Sequence, residues 1–407
     1  MLVQLLGALL LGGLVVRLCL AVSHSHTGDT DGPAQGPEGF YHGQRIADPG
    51  LCRQLIAAES LAGKGRNLLR PQVSRAVANR RLVAAFGIDN AFTDTDEAYV
   101  RRFVREAQAR ISLTGEQWRE MSALAQDAAR GWAVCLRVVL RILFGIEKDA
   151  AASDDRLVRL AEAINRAWIA SKTPEGSRYG DDRALQDALS AVFPDARILE
   201  PRENPLNLIL PAFETLWRIV LRTVVEVRFT TGRAHPEWQD ILVAFAADPT
   251  KGQFERRAAT GKGVSAESIV SEALRLYPPT RRVHRAFRWT ATDQIIVAAD
   301  IEACHTARET WGPDALAFNP ARFARLTRAQ KDAFMPFGAA PFTCPAKPVF
   351  GPRIVGLLAG TLLRELAGDW TLQSDNAEVM ECLDSGERLC LEREAYEDVF
   401  LVRARHV

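Results

Sequence analysis

The chain has 407 residues, with 51 Lys+Arg against 50 Asp+Glu and a formal net charge of +1, which excludes a strongly basic nucleic-acid binder. Hydrophobic residues make up 47% and charged residues 25%, so the chain can build a large core and disorder throughout is excluded. Seven scattered cysteines, with no Cys-x-x-Cys and no zinc-spaced Cys/His pair, exclude a disulfide scaffold and a structural zinc site and predict a reduced domain.

From Leu2 to Val22 the only polar side chains are Gln4 and Arg17, a length that crosses a bilayer as one helix, so residues 1–22 read as a transmembrane anchor. A cleaved signal peptide is the rival, with small Ala21 and Ser23 at the right spacing, but no Lys or Arg precedes the apolar run. Residues 23–45 are turn-rich and polar and read as a linker, with His24 and His26 on a solvated tether. Helical spacing of apolar residues then predicts helices over 97–110, 116–145 and 155–171, with Trp118, Trp132 and Trp168 filling cores. A long apolar helix follows over about 206–229, where Pro211 removes one backbone donor and predicts a kink or a loosened turn. The next helix, 264–276, stops at Pro278-Pro279. Short β-like runs come at 282–289 and 294–298, and later near 389–391 and 399–402. A helix-like run ends near Leu366.

There is no Walker A loop, no Gly-x-Ser-x-Gly and no His-Glu-x-x-His. The glycines of Gly63-Lys64-Gly65 and Gly261-Lys262-Gly263 are too few to cradle a phosphate. The common hydrolase and nucleotidase readings fall away, and chemistry borne by a cofactor becomes more attractive. One ordered set of motifs remains. Glu272 and Arg275 stand at i, i+3 on one helix face, just before Pro278-Pro279 and the run Arg281-Arg282-Val283-His284-Arg285. The same spacing occurs at Glu116/Arg119 and Glu175/Arg178, where a surface ion pair suffices; only seven of the 51 basic residues are lysine, so arginine motifs arise easily by chance. The third copy has a sequel: Phe318-Asn319-Pro320-Ala321-Arg322-Phe323, then Pro336-Phe337-Gly338 leading to Cys344.

That order resembles the cytochrome P-450 family of haem-thiolate monooxygenases, over roughly Leu206 to the C-terminus and more loosely before it. The resemblance implies a mostly α fold with small β-sheets: a single large haem domain, residues 46–407, behind the N-terminal helix. It implies heme b as cofactor, with Cys344 as the axial thiolate, Phe337 beside the haem, and Arg285 and Arg282 on its propionates. Glu272, Arg275 and Arg322 become a buried ion-pair cluster behind the cysteine loop, where loss of one member is costly. In the long helix, Glu214 and Thr215 match an acid–threonine pair that holds water and delivers protons as a general acid. The loop departs from the family pattern: Ala340, Phe342 and Ala346 replace Gly, Arg or His, and Gly. Phe342 cannot pair with a propionate, so that role must be filled elsewhere or lost. Pro345, Pro348 and Pro352 delay the next helix.

Arg101, Arg102 and Arg105 lie where the family often places a further propionate ligand, although a solvated arginine face accounts for at least two of them. Arg322, Arg325, Arg328, Lys331, Lys347 and Arg353 make the cysteine side basic, a face for an acidic electron donor. The implied activity is insertion of one oxygen atom of O2 into a hydrophobic small molecule, plausibly in secondary metabolism. Electrons come from NADPH through a cytochrome reductase, with the domain cytosolic at the endoplasmic-reticulum membrane and no nucleic acid involved. Two alternatives stand beside it: a reductase-independent isomerase, dehydratase or peroxygenase, and a catalytically impaired, truncated member. The short span before Tyr99 motivates the second.

Overall fold

The computed structural model describes residues 15–17, 44–61, 63–129, 133–147, 152–173, 176, 178–258, 263–385, 388–392, 396 and 399–403. The first elements are β1 (Val15–Arg17), β2 (Gln44–Ile46), α1 (Pro49–Ala57), β3 (Ser60–Leu61), β4 (Gly65–Arg66), α2 (Pro71–Ala78) and α3 (Arg80–Phe86). Next come α4 (Glu97–Arg110), α5 (Gly115–Ala128), α6 (Val134–Phe144), α7 (Asp154–Ala170), α8 (Arg183–Val192), α9 (Leu206–Phe229), α10 (Pro236–Ala247), α11 (Lys251–Glu255) and α12 (Ala266–Leu276). The last group is β5 (Arg282–Arg288), β6 (Gln294–Asp300), α13 (Ile301–Thr306), α14 (Arg308–Trp311), α15 (Arg328–Ala333), α16 (Phe350–Glu365), β7 (Trp370–Ser374), α17 (Ala377–Ser385) and β8 (Val399–Arg403). The fold is mostly helical with small sheets, as the sequence predicts.

Local chemistry sets many of the helix boundaries. Capping boxes open α5 (Thr114/Gln117), α12 (Ser265/Ser268) and α15 (Thr327/Gln330), each satisfying two backbone donors reciprocally. The predicted helix 116–145 is two helices, α5 and α6, and the sequence between them holds Gly131, a poor helix former. Trp132 lies outside the described residues; Trp118 is buried and Trp168 is half-buried.

The main core forms around α9, which is buried along most of its length and packs against α6, α12 and α16. Helix α16 lies on α10 so closely that a Cβ at Gly360 would sit 2.0 Å from the Leu242 carbonyl oxygen. Only glycine permits that approach. Proline does not break α9. The donor that Pro211 lacks would have reached the carbonyl of Asn207, four residues earlier. The Asn90 side chain donates to that oxygen instead, at 3.1 Å. The predicted loosening therefore does not leave this carbonyl open to water or oxygen.

Three small sheets surround the helices. In one, β2 runs parallel to β6 and β6 antiparallel to β5. In another, β8 lies between β1 and β7. The third is the β3–β4 hairpin. The predicted strand near 389–391 is absent; the sequence signal missed β7, which pairs with β8.

The expected anchor helix is not found among the described residues. Val15–Arg17 is a strand paired with Phe400–Val402, consistent with the β preference of its two valines. No helix among the described residues is long and apolar enough to cross a membrane. The rest of 1–22 and most of the linker 23–45, with His24 and His26, lie outside the described residues, while Gln44 and Arg45 belong to β2 rather than to a linker.

Candidate active site

The Glu272 cluster forms because α12 ends against the turn at Pro320–Ala324. Glu272 and Arg275 are both 0% exposed. All five guanidinium donors of Arg275 are used. Nε and Nη2 reach the two Glu272 oxygens at 2.7 and 2.8 Å. Nη1 reaches the carbonyls of His305 and Ala315 at 2.7 Å each, and Nη2 also reaches Ala317 at 3.3 Å. Glu272 Oε1 further accepts from Arg322 Nε at 2.9 Å and from the Asn319 backbone at 2.8 Å. A desolvated charge group is tolerable when its members are satisfied in this way. The sequence-predicted trio of Glu272, Arg275 and Arg322 is assembled.

The cluster reaches the cysteine loop through His305, whose role no sequence motif revealed. His305 Nδ1 lies 3.1 Å from the Arg275 carbonyl, and its Nε2 accepts the Met335 N–H at 3.0 Å. Burial pushes this imidazole down to about 3, so it is neutral, in the tautomer with Nδ1 protonated. From Met335 the loop closes in steps. Gly338 N–H donates to Met335 O at 3.0 Å, and Cys344 N–H donates to Phe337 O at 2.9 Å. Phe337 also packs under Gly351, where an added Cβ would come within 2.7 Å of its ring. Helix α16 begins only at Phe350, as the three prolines predict, with Pro352 in the first turn where a missing N–H costs nothing.

Cys344 is an exposed free thiol. Neighbouring groups desolvate it enough to raise its pKa, while the Ala346 N–H and the Arg75 guanidinium pull the other way. Those two groups favour the thiolate that a metal ligand requires.

Beside the thiol lies an arginine pair that the sequence only half disclosed. Arg285 on β5 is 3% exposed and donates from Nε to Ile56 O at 2.9 Å. Arg75 comes from α2, which Ser74 fastens to β5 through a 2.7 Å bond to Ala286 O. Both guanidiniums face the Phe342 ring, Arg75 at 4.9 Å and Arg285 at 4.8 Å from its centroid. Burial lowers Arg75 to about 10 and Arg285 to about 9, the latter helped by repulsion from Arg75. Among the described residues neither has a carboxylate partner. Two desolvated cations on the Phe342 ring, one of them acting on the Cys344 thiol, fit a cofactor that carries two carboxylates and a thiolate-binding metal. Phe342 carries no charge of its own, and the Arg75 guanidinium lies against its ring. Nothing in the sequence singled Arg75 out, because the chain holds 44 arginines and this one has no motif around it.

Other predicted residues fall elsewhere. Arg282 lies 3.5 Å from Asp300, away from the Arg75–Arg285 pair. Arg101, Arg102 and Arg105 are exposed on α4, with Arg101 near Glu97 and Arg102 near Glu106. The basic face is smaller than expected. Arg322 is held in the Glu272 cluster, and Arg353 is buried over the Trp118 ring at 4.1 Å. Arg325, Arg328, Lys331 and Lys347 remain exposed. In α9, Glu214 is buried, and the Thr215 hydroxyl points back to the Pro211 and Ala212 carbonyls at 3.0 and 3.3 Å.

No family model matches the chain. Among curated proteins it is 30% identical over 289 residues to cytochrome P-450 CYP749A22 of Panax ginseng, covering 58% of this chain and 55% of that one. It is 30% identical over 198 residues to cytochrome P-450 734A5 of Oryza sativa subsp. japonica, covering 41% and 34%. A cytokinin hydroxylase of Arabidopsis thaliana is 37% identical over 87 residues, covering 20% and 17%. The chain thus matches between 17% and 55% of the length of these relatives. In fold it resembles a 6-coordinated cytochrome P-450 from Thermus thermophilus, with a TM-score of 0.52 at 17% identity, covering 81% of this chain and 85% of that one.

Proposed function

The chain belongs to the cytochrome P-450 family, and on that premise we propose that it is a haem-thiolate monooxygenase inserting one oxygen atom of O2 into a hydrophobic small molecule. Electrons reach it from NADPH through a reductase. The observation that carries this reading is that Arg75, the cation that favours the Cys344 thiolate, shares the Phe342 ring of the cysteine loop with the buried Arg285. Haem, when bound, supplies the oxygen-activating redox chemistry. Cys344 would provide the thiolate ligand, and Arg75 and Arg285 would hold the haem carboxylates. Phe337 fixes the loop behind the ligand, and the Glu272–Arg275–Arg322 cluster holds that loop through His305. Glu214 is the proton source, and Thr215 hands the proton on once its hydroxyl turns from the helix carbonyls.

Residues 46–407 act as one haem domain in this reading, and Arg325, Arg328, Lys331 and Lys347 meet an acidic electron donor. Secondary metabolism is the proposed setting. Attachment to the endoplasmic-reticulum membrane rests on the apolar composition of residues 2–22 and on nothing in the fold. The decisive experiment is the reduced, CO-bound spectrum of the purified protein, where the thiolate signature is expected and its absence sinks the reading. One observation favours a second reading, a reductase-independent isomerase, dehydratase or peroxygenase: Thr215 spends its hydroxyl on its own helix. Turnover without NADPH or reductase decides for that alternative.

The arginine pair makes its own prediction. Arg75→Gln should weaken haem binding by about tenfold, in the range of supporting shells around metal sites, while Arg282→Gln leaves it unchanged. Haem titration of the two variants, read by absorbance, checks this; equal affinities would remove Arg75 from the site.

A further inference from the structure

Two thiols away from Cys344 meet where α1 docks on the sheet. Cys52 on α1 and Cys304 on α13 are both 0% exposed, and their sulfurs lie 3.6 Å apart. Each also reaches the chain that leads into α1. Cys52 Sγ donates to Ile46 O at 2.9 Å, and Cys304 Sγ donates to Ala47 O at 3.0 Å. A thiol has one proton to give. Once Cys52 loses its own, Cys304 can turn its S–H from Ala47 to the Cys52 sulfur, and that bond holds Cys52 below the ordinary thiol value. A disulfide is about 2.05 Å long, so the sulfurs need to close by only about 1.5 Å. The bonds given up are two weak S–H donations. The cover over the pair is thin. Gln44, Arg45, Ala47 and Asp48 are exposed, and β2 is a three-residue strand at the edge of its sheet. Local opening of so short an edge brings both sulfurs to solvent. The two helices that the pair joins both support the candidate site. Ile56 of α1 accepts from Arg285, and Arg53, next to Cys52, donates from Nε to Asp332 O at 3.0 Å. Cys304 directly precedes His305, which holds Met335 at the start of the cysteine loop.

We propose that Cys52 and Cys304 are a thiol modification site, oxidised to a reversible disulfide by exchange with a small-molecule disulfide of the glutathione class, and that the bond clamps α1 to α13. The Cys52 thiolate attacks one sulfur of oxidised glutathione, which forms a mixed disulfide and expels one glutathione thiolate. Cys304 then passes its proton to solvent and attacks the Cys52 sulfur, expelling the second glutathione thiolate. Two protein thiols are oxidised, and one glutathione disulfide is reduced to two thiols. The bond links residues 252 positions apart, and constraining so long a loop stabilises the fold. The test incubates the full chain, as purified, with oxidised glutathione, followed by acid quenching, alkylation and peptide mapping by mass spectrometry. A peptide linked through Cys52 and Cys304 is expected, and the melting temperature should rise by about 3–6 °C. Dithiothreitol should reverse both. Cys52→Ser and Cys304→Ser should each abolish the linked peptide and the rise. Should a serine variant fold poorly, the peptide map and melting shift of the parent chain still decide. No linked peptide, a link formed only in urea, or a link confined to Cys382 and Cys390 would overturn the proposal. So would glutathione carried on the exposed Cys344 alone, or a linked peptide that leaves the melting temperature unmoved, because the bond would then clamp nothing.

Discussion

A Cys344→Ser protein is expected to fold and to lose the thiolate signature of its reduced, CO-bound spectrum. The alcohol is close in size to the thiol but does not ionise near neutral pH, so it offers the iron no anionic donor. The loop should survive the change, because it is closed by backbone bonds from Cys344 N–H to Phe337 O and from Gly338 N–H to Met335 O. Haem retained through purification should fall by at least the roughly ten- to hundredfold typical of losing a partner further out. Circular dichroism should remain that of the parent. Equal haem retention and an unchanged spectrum in the serine variant would contradict the ligand assignment. The other free cysteines among the described residues serve as controls, and Cys135 is the most telling. Burial alone pushes its pKa up to about 12, so it remains a thiol, and Cys135→Ser should leave the spectrum untouched.

Glu272→Gln carries the largest expected effect on stability. The amide keeps the shape of the carboxylate but leaves Arg275 and Arg322 without their shared counter-charge, and it replaces one acceptor with an NH2 that faces their donors. Removing one partner from a buried ion pair costs about 3–5 kcal/mol. That is a large fraction of the roughly 5–15 kcal/mol by which a folded domain outlasts its unfolded chain. Urea unfolding followed by tryptophan fluorescence should show the midpoint fall sharply, since the Trp311 ring lies 4.9 Å from the Arg275 guanidinium. Arg102→Gln, which removes an exposed 4.0 Å contact to Glu106, should leave the midpoint unmoved. Similar shifts in the two variants would mean that the cluster does not hold the fold. Because His305 links the cluster to Met335, the Glu272 variant should also bind haem less well than its residual folded fraction allows.

Several elements were legible because their signals are contiguous. The helix over 206–229 and the helix over 97–110 match the structure at both ends, since apolar spacing repeats over three turns or more. The stop before Pro278-Pro279 and the late start of α16 follow from proline chemistry alone. The anchor run lies mostly outside the described residues, and the three that are described do not form the expected helix. An apolar run fixes hydrophobicity but not conformation, and Val15–Arg17 found a strand partner almost four hundred residues away. The strand expected near 389–391 failed similarly: Leu389 is buried, but there its N–H takes the Tyr277 hydroxyl rather than a neighbouring strand.

Of the residues that the sequence pointed to, Glu272, Arg275 and Arg322 come together in one buried cluster, while Cys344 and Arg285 stand in motifs kept by a single loop or strand and their roles are proposals. The sequence could not choose among arginines. Arg75 joins Arg285 only when α2 docks on β5, Arg282 is drawn to Asp300 by strand register, and Arg353 is carried inside against Trp118. Nor could it foresee that Asn90 would take the carbonyl exposed by Pro211, 117 residues away along the chain. A spacing of three or four residues is a property of the chain itself. Which cation meets which anion is settled by burial, where an unsatisfied charge is too costly to leave, and that depends on every element that closes around it.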